Sequence, residues 1–323
     1  MPGCKTGPTT MTKFVQRLTA YLLALIACSP VWAAALPPGD FQFELPVGGK
    51  VRNYLVHVPP QAVTGPLPVV LSLHGGGGNA QQQRQSSGMD AAADRDGYIA
   101  IYPNGSGVLP NRLLTWNAGN CCSYAMDRII DDVGFISALI DDLAKRASID
   151  LRRIYVTGYS NGSMMAERLG AELPDKIAAG AGVAGVHVPP IRAARAVPML
   201  HIHSVDDPRA LYPGGLGPPF PMTNNRIMHQ SVDAMLSAWV RNNGCSTSAE
   251  EKQFKEAAGH TARLLVYGHC RDGAEVALCK LTGAGHGWPG AKTAHKKLLE
   301  PTTNVIDANT EIWRFVSRFS LPR

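Results

Sequence analysis

Through most of the chain, short apolar and β-branched runs alternate with stretches whose apolar residues recur at helical spacing. Pro68–Leu73, Tyr98–Tyr102, Ile154–Thr157, Ala179–Ala184, Val197–His203, Arg263–Tyr267 and Val276–Thr282 have the length and composition of strands. Phe41–Leu45 and Val51–Pro59 are close enough in sequence to predict an antiparallel hairpin at the sheet edge. In Asp131–Ala147, the residues Val133, Ile136, Leu139, Ile140 and Leu143 share one helical face, and the acidic start suits the positive end of a helix dipole. Ser163–Leu173, Arg226–Asn242 and Asn304–Phe319 predict further helices. This alternation points to the α/β class, with a mainly parallel central sheet flanked by helices on both faces. The Pro- and Gly-rich patch from Tyr212 to Pro221 is too short for an interdomain linker and predicts a surface loop.

The first 35 residues are patterned differently. Lys13 and Arg17 precede the apolar run Leu18–Ala27, Pro30 then breaks a helix, and Ala33–Ala35 supplies the small residues of a signal-peptidase site. Residues 1–35 therefore read as a signal peptide, with Met11 as an alternative start, and residues 36–323 as a single catalytic domain, secreted or periplasmic. Crossing a bilayer takes about 20 apolar residues, more than this run offers, so no stable membrane insertion is expected. Leu25-Ile26-Ala27-Cys28 also fits a lipoprotein box that would anchor the chain at Cys28, an alternative that leaves Pro30 and the alanine triplet without a role.

Composition changes this picture little. With 45% hydrophobic and 17% charged residues the chain is ordinary globular protein rather than disordered. Loss of Lys5, Lys13 and Arg17 with the signal lowers the formal net charge from +6 to +3, too mild a balance to argue for nucleic acid. Cys121, Cys122, Cys245, Cys270 and Cys279 remain. In an oxidising compartment they read as disulfide partners, because no Cys or Cys/His set has zinc spacing; the odd count leaves one over within the chain, and spacing alone does not give the connectivity.

The sharpest chemical signal is Gly158-Tyr159-Ser160-Asn161-Gly162, between the expected strand ending at Thr157 and the expected helix from Ser163. A serine hydroxyl becomes a useful nucleophile when a tight strand-to-helix turn holds it out of the sheet, and the flanking glycines let backbone and helix pass closely. A serine that merely caps the next helix would not need both glycines. Such an elbow belongs to the α/β-hydrolase fold, in which an acid and then a histidine follow later strands. Asp206 and Asp207 follow Val197–His203, and spacing does not decide between them. His286 follows Val276–Thr282 in a Gly-rich loop, where an imidazole can serve as general base. His201 and His203 lie within a strand and read as core or sheet-face residues, whereas His187 and His229 stay open as alternatives. His74-Gly75-Gly76-Gly77-Gly78-Asn79 matches the HGGG-type loop that supplies an oxyanion-hole N–H, which assigns the hole to Gly76 and Asn161; the Lys-Ser/Thr ending of a phosphate-binding loop is absent. Trp116 and Trp288 are candidates for the substrate pocket wall, with core packing the alternative for Trp116. The chemistry requires no cofactor and no metal.

His74–Asn79, Trp116-Asn117 with Cys121-Cys122, Asp131–Phe135, Gly158–Gly162, His203–Pro208 with Tyr212, and Gly285–Gly290 together resemble the poly(3-hydroxybutyrate) depolymerase and feruloyl esterase group of secreted α/β-hydrolases. The resemblance runs from about Phe41 to Phe319. It implies a triad of Ser160, Asp207 and His286, an acyl-enzyme mechanism, a disulfide between Cys245 and Cys270, and an ester substrate, either a hydroxyalkanoate oligomer or a plant cell-wall ester. Serine peptidase activity or a non-catalytic binding role on the same scaffold are the weaker readings. Ser204, where the group usually has glycine, and Arg209-Ala210-Leu211 depart from its pattern beside the acid.

Overall fold

The computed structural model describes residues 3, 36–188, 190–219, 224, 226–291 and 302–322. Apart from residue 3, the expected signal peptide, residues 1–35, lies outside the described residues, and with it Cys28. Ten strands form one sheet among the described residues. In chain order they are β1 (Gly39–Val47), β2 (Lys50–Val58), β3 (Leu67–Leu73), β4 (Ile99–Pro103), β5 (Ile149–Tyr159), β6 (Ala179–Val183), β7 (Met199–Ser204), β10 (Glu250–Ala257), β11 (His260–Tyr267) and β12 (Val276–Thr282). The short pair β8 (Gly215–Leu216) and β9 (Met228–His229) stands apart from it. Spatial order is β1-β2-β4-β3-β5-β6-β7-β12-β11-β10. The stretch from β4 to β12 is parallel and the strands at both ends are antiparallel. The expected hairpin is β1–β2, with Val47 paired to Lys50.

Alternation along the central strands separates two cores, because successive side chains leave a strand on opposite faces. Val70, Ala100, Tyr102 and Tyr155 face one side, with α1 (Ala80–Ser87), α2 (Met89–Asp96) and α7 (Ala308–Val316). Val69, Leu71, Ile99, Ile101, Ile154 and Val156 face the other, against α4 (Asp132–Arg146) and α5 (Asn161–Glu172). Between these sets the short α3 (Ser123–Asp127) follows the Trp116–Cys122 loop, and α6 (Val232–Asn243) packs on Met199, Val276 and Leu278. No described helix is long and apolar enough to cross a membrane.

Four elements differ from expectation for identifiable reasons. The expected helix Arg226–Asn242 begins only at Val232, because Ser231 caps it by accepting from the Ala234 N–H and residues 228–229 pair with β8. Helices α1 and α2 have few apolar positions, so periodicity hides them; Asn79, whose side chain accepts from Gln82 N–H, and Gly88, at φ +63°, mark their ends. The edge strand β10 is Glu250-Glu251-Lys252-Gln253-Phe254-Lys255-Glu256-Ala257, a charged sequence that keeps an exposed sheet edge from pairing with other chains.

Candidate active site

The parallel strands β3, β5, β7 and β12 end side by side, with Leu73 opposite Gly158 and Leu281 opposite Ser204. The loops leaving their carboxyl ends therefore converge, the position at which open α/β sheets present ligands. β5 ends at Tyr159 and α5 starts at Asn161, leaving Ser160 alone on the turn at φ +53°, ψ −117°. A non-glycine residue held there costs about 1–3 kcal/mol and persists only when its surroundings fix it. Here the Ser160 N–H donates to the Val183 carbonyl at 2.8 Å and its carbonyl accepts from Met164 N–H at 3.1 Å. A Cβ at position 158 would run into the Gly162 carbonyl, and one at 162 into the Leu73 and His74 carbonyls, so the turn closes only with glycine at both positions.

His286 joins the two other groups. Its Nε2 lies 3.0 Å from Ser160 Oγ and its Nδ1 2.7 Å from Asp207 Oδ2. The His286 carbonyl accepts from the Tyr159 hydroxyl at 2.9 Å, which ties the histidine loop to the elbow. Asp207 is 3% exposed, and its Oδ1 accepts the N–H groups of Arg209 (2.8 Å) and Ala210 (2.9 Å). Burial pushes the Asp207 carboxyl up, but charge and hydrogen bonding from His286, with help from His203 and the Arg209 N–H, outweigh it and hold the group below the usual carboxylate value. Asp206, which spacing could not separate from its neighbour, turns away and accepts the Gly283 N–H at 2.7 Å.

Gly76 and Asn161 line the same cavity as Ser160 and His286. Asn161 opens α5, and the first N–H groups of a helix have no intrahelical acceptor, so one is available beside the serine. The HGGG-type loop is braced from behind. His74 receives the Gly105 N–H on Nε2 at 2.9 Å, which places its own proton on Nδ1, 2.8 Å from the Gly75 carbonyl; burial pushes this imidazole down to about 4 and keeps it neutral.

The cavity holds about 150 Å³. Cys121, Cys122, Met164, Ala210, Pro218 and Ile227 give it a sulfur-rich and aliphatic wall, and Arg209 and His229 add polar groups. Neither tryptophan expected at the wall is among the described residues lining it. Trp116 is fully buried: its Nε1 donates to the His74 carbonyl at 2.9 Å, and its backbone N–H and carbonyl are both held by the Asn161 side chain, at 2.8 and 3.1 Å. It thus holds both halves of the expected oxyanion hole together. Trp288 packs in the core beside α7, with Nε1 on Asn309 Oδ1 at 3.2 Å. Of the alternative histidines, His229 reaches the cavity wall and His187 is buried beside Gly119.

Disulfides join Cys245 to Cys270 and Cys121 to Cys122, leaving Cys279 buried and free. Among the described residues, Asp40, His57 and Asp90 have spacing that could suit a cation. Arg84 already pairs with both carboxylates at 2.5 Å, so a side chain supplies the positive charge there.

Residues 52–263 match the family described as Esterase PHB depolymerase. The chain is 30% identical over 279 residues to NocK of Nocardia uniformis subsp. tsuyamanensis, named as an esterase, covering 81% of this chain and 77% of that protein. It is 29% identical over 271 residues to feruloyl esterase B of Piromyces equi, covering 81% of this chain but only 44% of the relative's length. A solved structure described as a thermostable esterase superposes with a TM-score of 0.53 at 15% identity, over 87% of this chain and 63% of that one, a likeness that shows the α/β-hydrolase fold.

Proposed function

Because the chain belongs to the esterase PHB depolymerase family and is an ester hydrolase, we propose that it cleaves carboxylic esters of hydroxyalkanoate oligomers through an acyl-enzyme on Ser160. One observation carries this reading: the unbroken line from Ser160 Oγ through His286 to Asp207, at 3.0 and 2.7 Å. Ser160 attacks the ester carbonyl while His286 Nε2 takes its proton. The N–H groups of Gly76 and Asn161 receive the developing oxyanion, a contribution for which loss of one donor typically costs about 10²–10³ in kcat. His286 then returns the proton to the departing alcohol, and Asp207 stabilises the imidazolium throughout. Water repeats the sequence on the acyl-enzyme.

Supporting a short aliphatic acyl group are the size of the cavity and its Met164, Ile227 and Cys121-Cys122 wall. Arg209 at the same wall supplies a cation suited to the free carboxylate of an oligomer end. A second reading, hydrolysis of feruloyl or acetyl esters of plant cell walls, is favoured by the relative named feruloyl esterase B. Residues 1–35 are proposed as an export signal, leaving 36–323 as the catalytic domain in the periplasm or outside the cell.

The test is turnover of p-nitrophenyl butyrate, hydroxybutyrate trimer and methyl ferulate by the wild type and by Ser160→Ala. Wild type is expected to turn over the trimer with the highest kcat/KM, and Ser160→Ala to lose at least about 10³-fold on every ester. Equal turnover by the two proteins would sink the mechanism, and preference for methyl ferulate would move the substrate to the second reading.

A further inference from the structure

Behind Asp207 lies a buried polar line that the hydrolytic steps do not use. His203, on β7, sets Nε2 2.7 Å from the Ala210 carbonyl and 3.5 Å from Asp207 Oδ2. His201, two residues earlier and so on the same face of the strand, sets Nε2 2.9 Å from His203 Nδ1. Beyond it, His201 Nδ1 faces Glu167 Oε1 across 3.7 Å, and neither atom has another partner. The second Glu167 oxygen accepts the Trp239 indole N–H. All three residues are at most 1% exposed.

The carbonyl at one end orients the two imidazoles in this line. A carbonyl only accepts, so His203 carries its hydrogen on Nε2, and as a neutral imidazole it must accept on Nδ1. His201 therefore donates from Nε2 and is bare on Nδ1. With His201 neutral, a hydrogen on Glu167 Oε1 directed at His201 Nδ1 gives both remaining orphan atoms a partner once the 3.7 Å gap between them shortens to hydrogen-bond distance. Gly182 makes room for the pair, since a Cβ there would stand 3.1 Å from both the carboxyl oxygen and the imidazole nitrogen.

We propose that Glu167, His201 and His203 form a one-way polar relay, headed by a protonated Glu167 that closes on His201, which positions the Asp207 loop for catalysis and lets loss of the Glu167 proton switch the ester hydrolase down. This inference rests on the triad reading above, and all three are positioning residues. Because α5 starts at the nucleophile elbow and carries Glu167, the relay closes a circuit through Ala210, Asp207 and His286 back to Ser160. Burial raises the Glu167 carboxyl to about 8, with only the Trp239 N–H opposing it, and burial lowers both histidines to about 3. Around Glu167, β7 offers His201, α6 offers Trp239, β6 offers Gly182 and the helix itself Ser163, and among the described residues no charged group shifts its carboxyl. Near His203 stand Asp207, His286, Ala210 and the Tyr212 ring, with Lys280 over the far ring face. When Glu167 loses its proton, His201 must donate to it from Nδ1 and the line reverses. His203 Nε2 then meets the Ala210 carbonyl as two acceptors, and the Asp207 loop loses its tie.

The experiment is kcat/KM for p-nitrophenyl butyrate from about pH 6 to about pH 10, with folding checked by circular dichroism, for wild type, Glu167→Gln and Glu167→Ala. Wild type is expected to decline with a midpoint near 8. Glu167→Gln can still donate to His201 and accept from Trp239, so it should rescue the plateau to within about threefold while abolishing the decline. Glu167→Ala should lower the plateau by about tenfold or more. A flat wild-type profile, a Glu167→Gln profile that keeps the wild-type decline, or a folded Glu167→Ala at the wild-type plateau would overturn the relay. Each of those results, with Ser160→Ala inactive, leaves the triad standing; activity in Ser160→Ala instead removes the triad.

Discussion

Two buried carboxyls lie at opposite ends of the His203 neighbourhood, and their surroundings drive them to opposite ionisation states. Asp207 accepts from the His286 imidazole and from the N–H groups of Arg209 and Ala210, and its carboxyl stays low in spite of burial. Glu167 accepts from Trp239 alone and is pushed up to about 8. Burial opposes charge at both sites; the supply of donors decides which carboxyl keeps it. In the proposed mechanism one becomes the acid that steadies an imidazolium beside substrate. In the proposed relay its counterpart becomes a hydrogen-bond donor inside the core.

The largest expected effect breaks this contrast from the charged side. Asp207→Asn keeps the shape but removes the charge and lets the wrong His286 tautomer form, so kcat should fall on the order of 10⁴-fold. The same acid-to-amide change at Glu167 mimics the native protonated state. If stopped-flow and steady-state kinetics gave the two amide variants equal losses, the proposed difference in ionisation would be wrong.

A smaller effect sharpens the contrast through stability. Between the ordinary glutamic value of 4.5 and about 8, the folded chain holds a proton on Glu167 that the unfolded chain releases, so the stabilising contribution, complete below 4.5, is lost as pH rises through about 8. For Asp207 the sign is reversed: its contribution is present above the ordinary aspartic value of 3.8 and is lost as pH falls through the depressed folded value. Urea midpoints followed against pH should therefore show wild type losing ground to Glu167→Gln on the alkaline side. Asp207→Asn should lose ground relative to wild type above the acid limb and converge with it on acidification. A constant gap between wild type and either variant across the pH range would contradict the assignment.

How much of this was legible in the sequence depends on how local each cause is. The elbow could be read because the two glycines, the serine and the strand-to-helix switch lie within a few residues. The alternation of strands and helices and the convergence of Ser160 and His286 followed from the same pattern, whereas the spatial order of the strands did not. Asp206 and Asp207 could not be separated by spacing, since only the Asp206 bond to Gly283, 77 residues away, turns that side chain aside. Aromatic character makes Trp116 and Trp288 candidates for the pocket wall and leaves core packing open for Trp116; the core takes both, with their indole N–H groups spent on the His74 carbonyl and on Asn309. His229 reaches the cavity through the β8–β9 pair, which the helix expected from Arg226 obscured. Glu167 reads as an ordinary position of the elbow helix, because the groups around its carboxyl belong to β6, β7 and α6, which come next to it only when the sheet assembles.

The most direct test of the central claim is mass spectrometry of the protein inactivated with a p-nitrophenyl alkylphosphonate, which traps an activated serine as a stable phosphonyl ester. Loss of activity should track one adduct per chain, found on the peptide containing Ser160 and absent from Ser160→Ala. Complete inactivation with the adduct on another residue, or full activity retained with Ser160 labelled, would contradict the account.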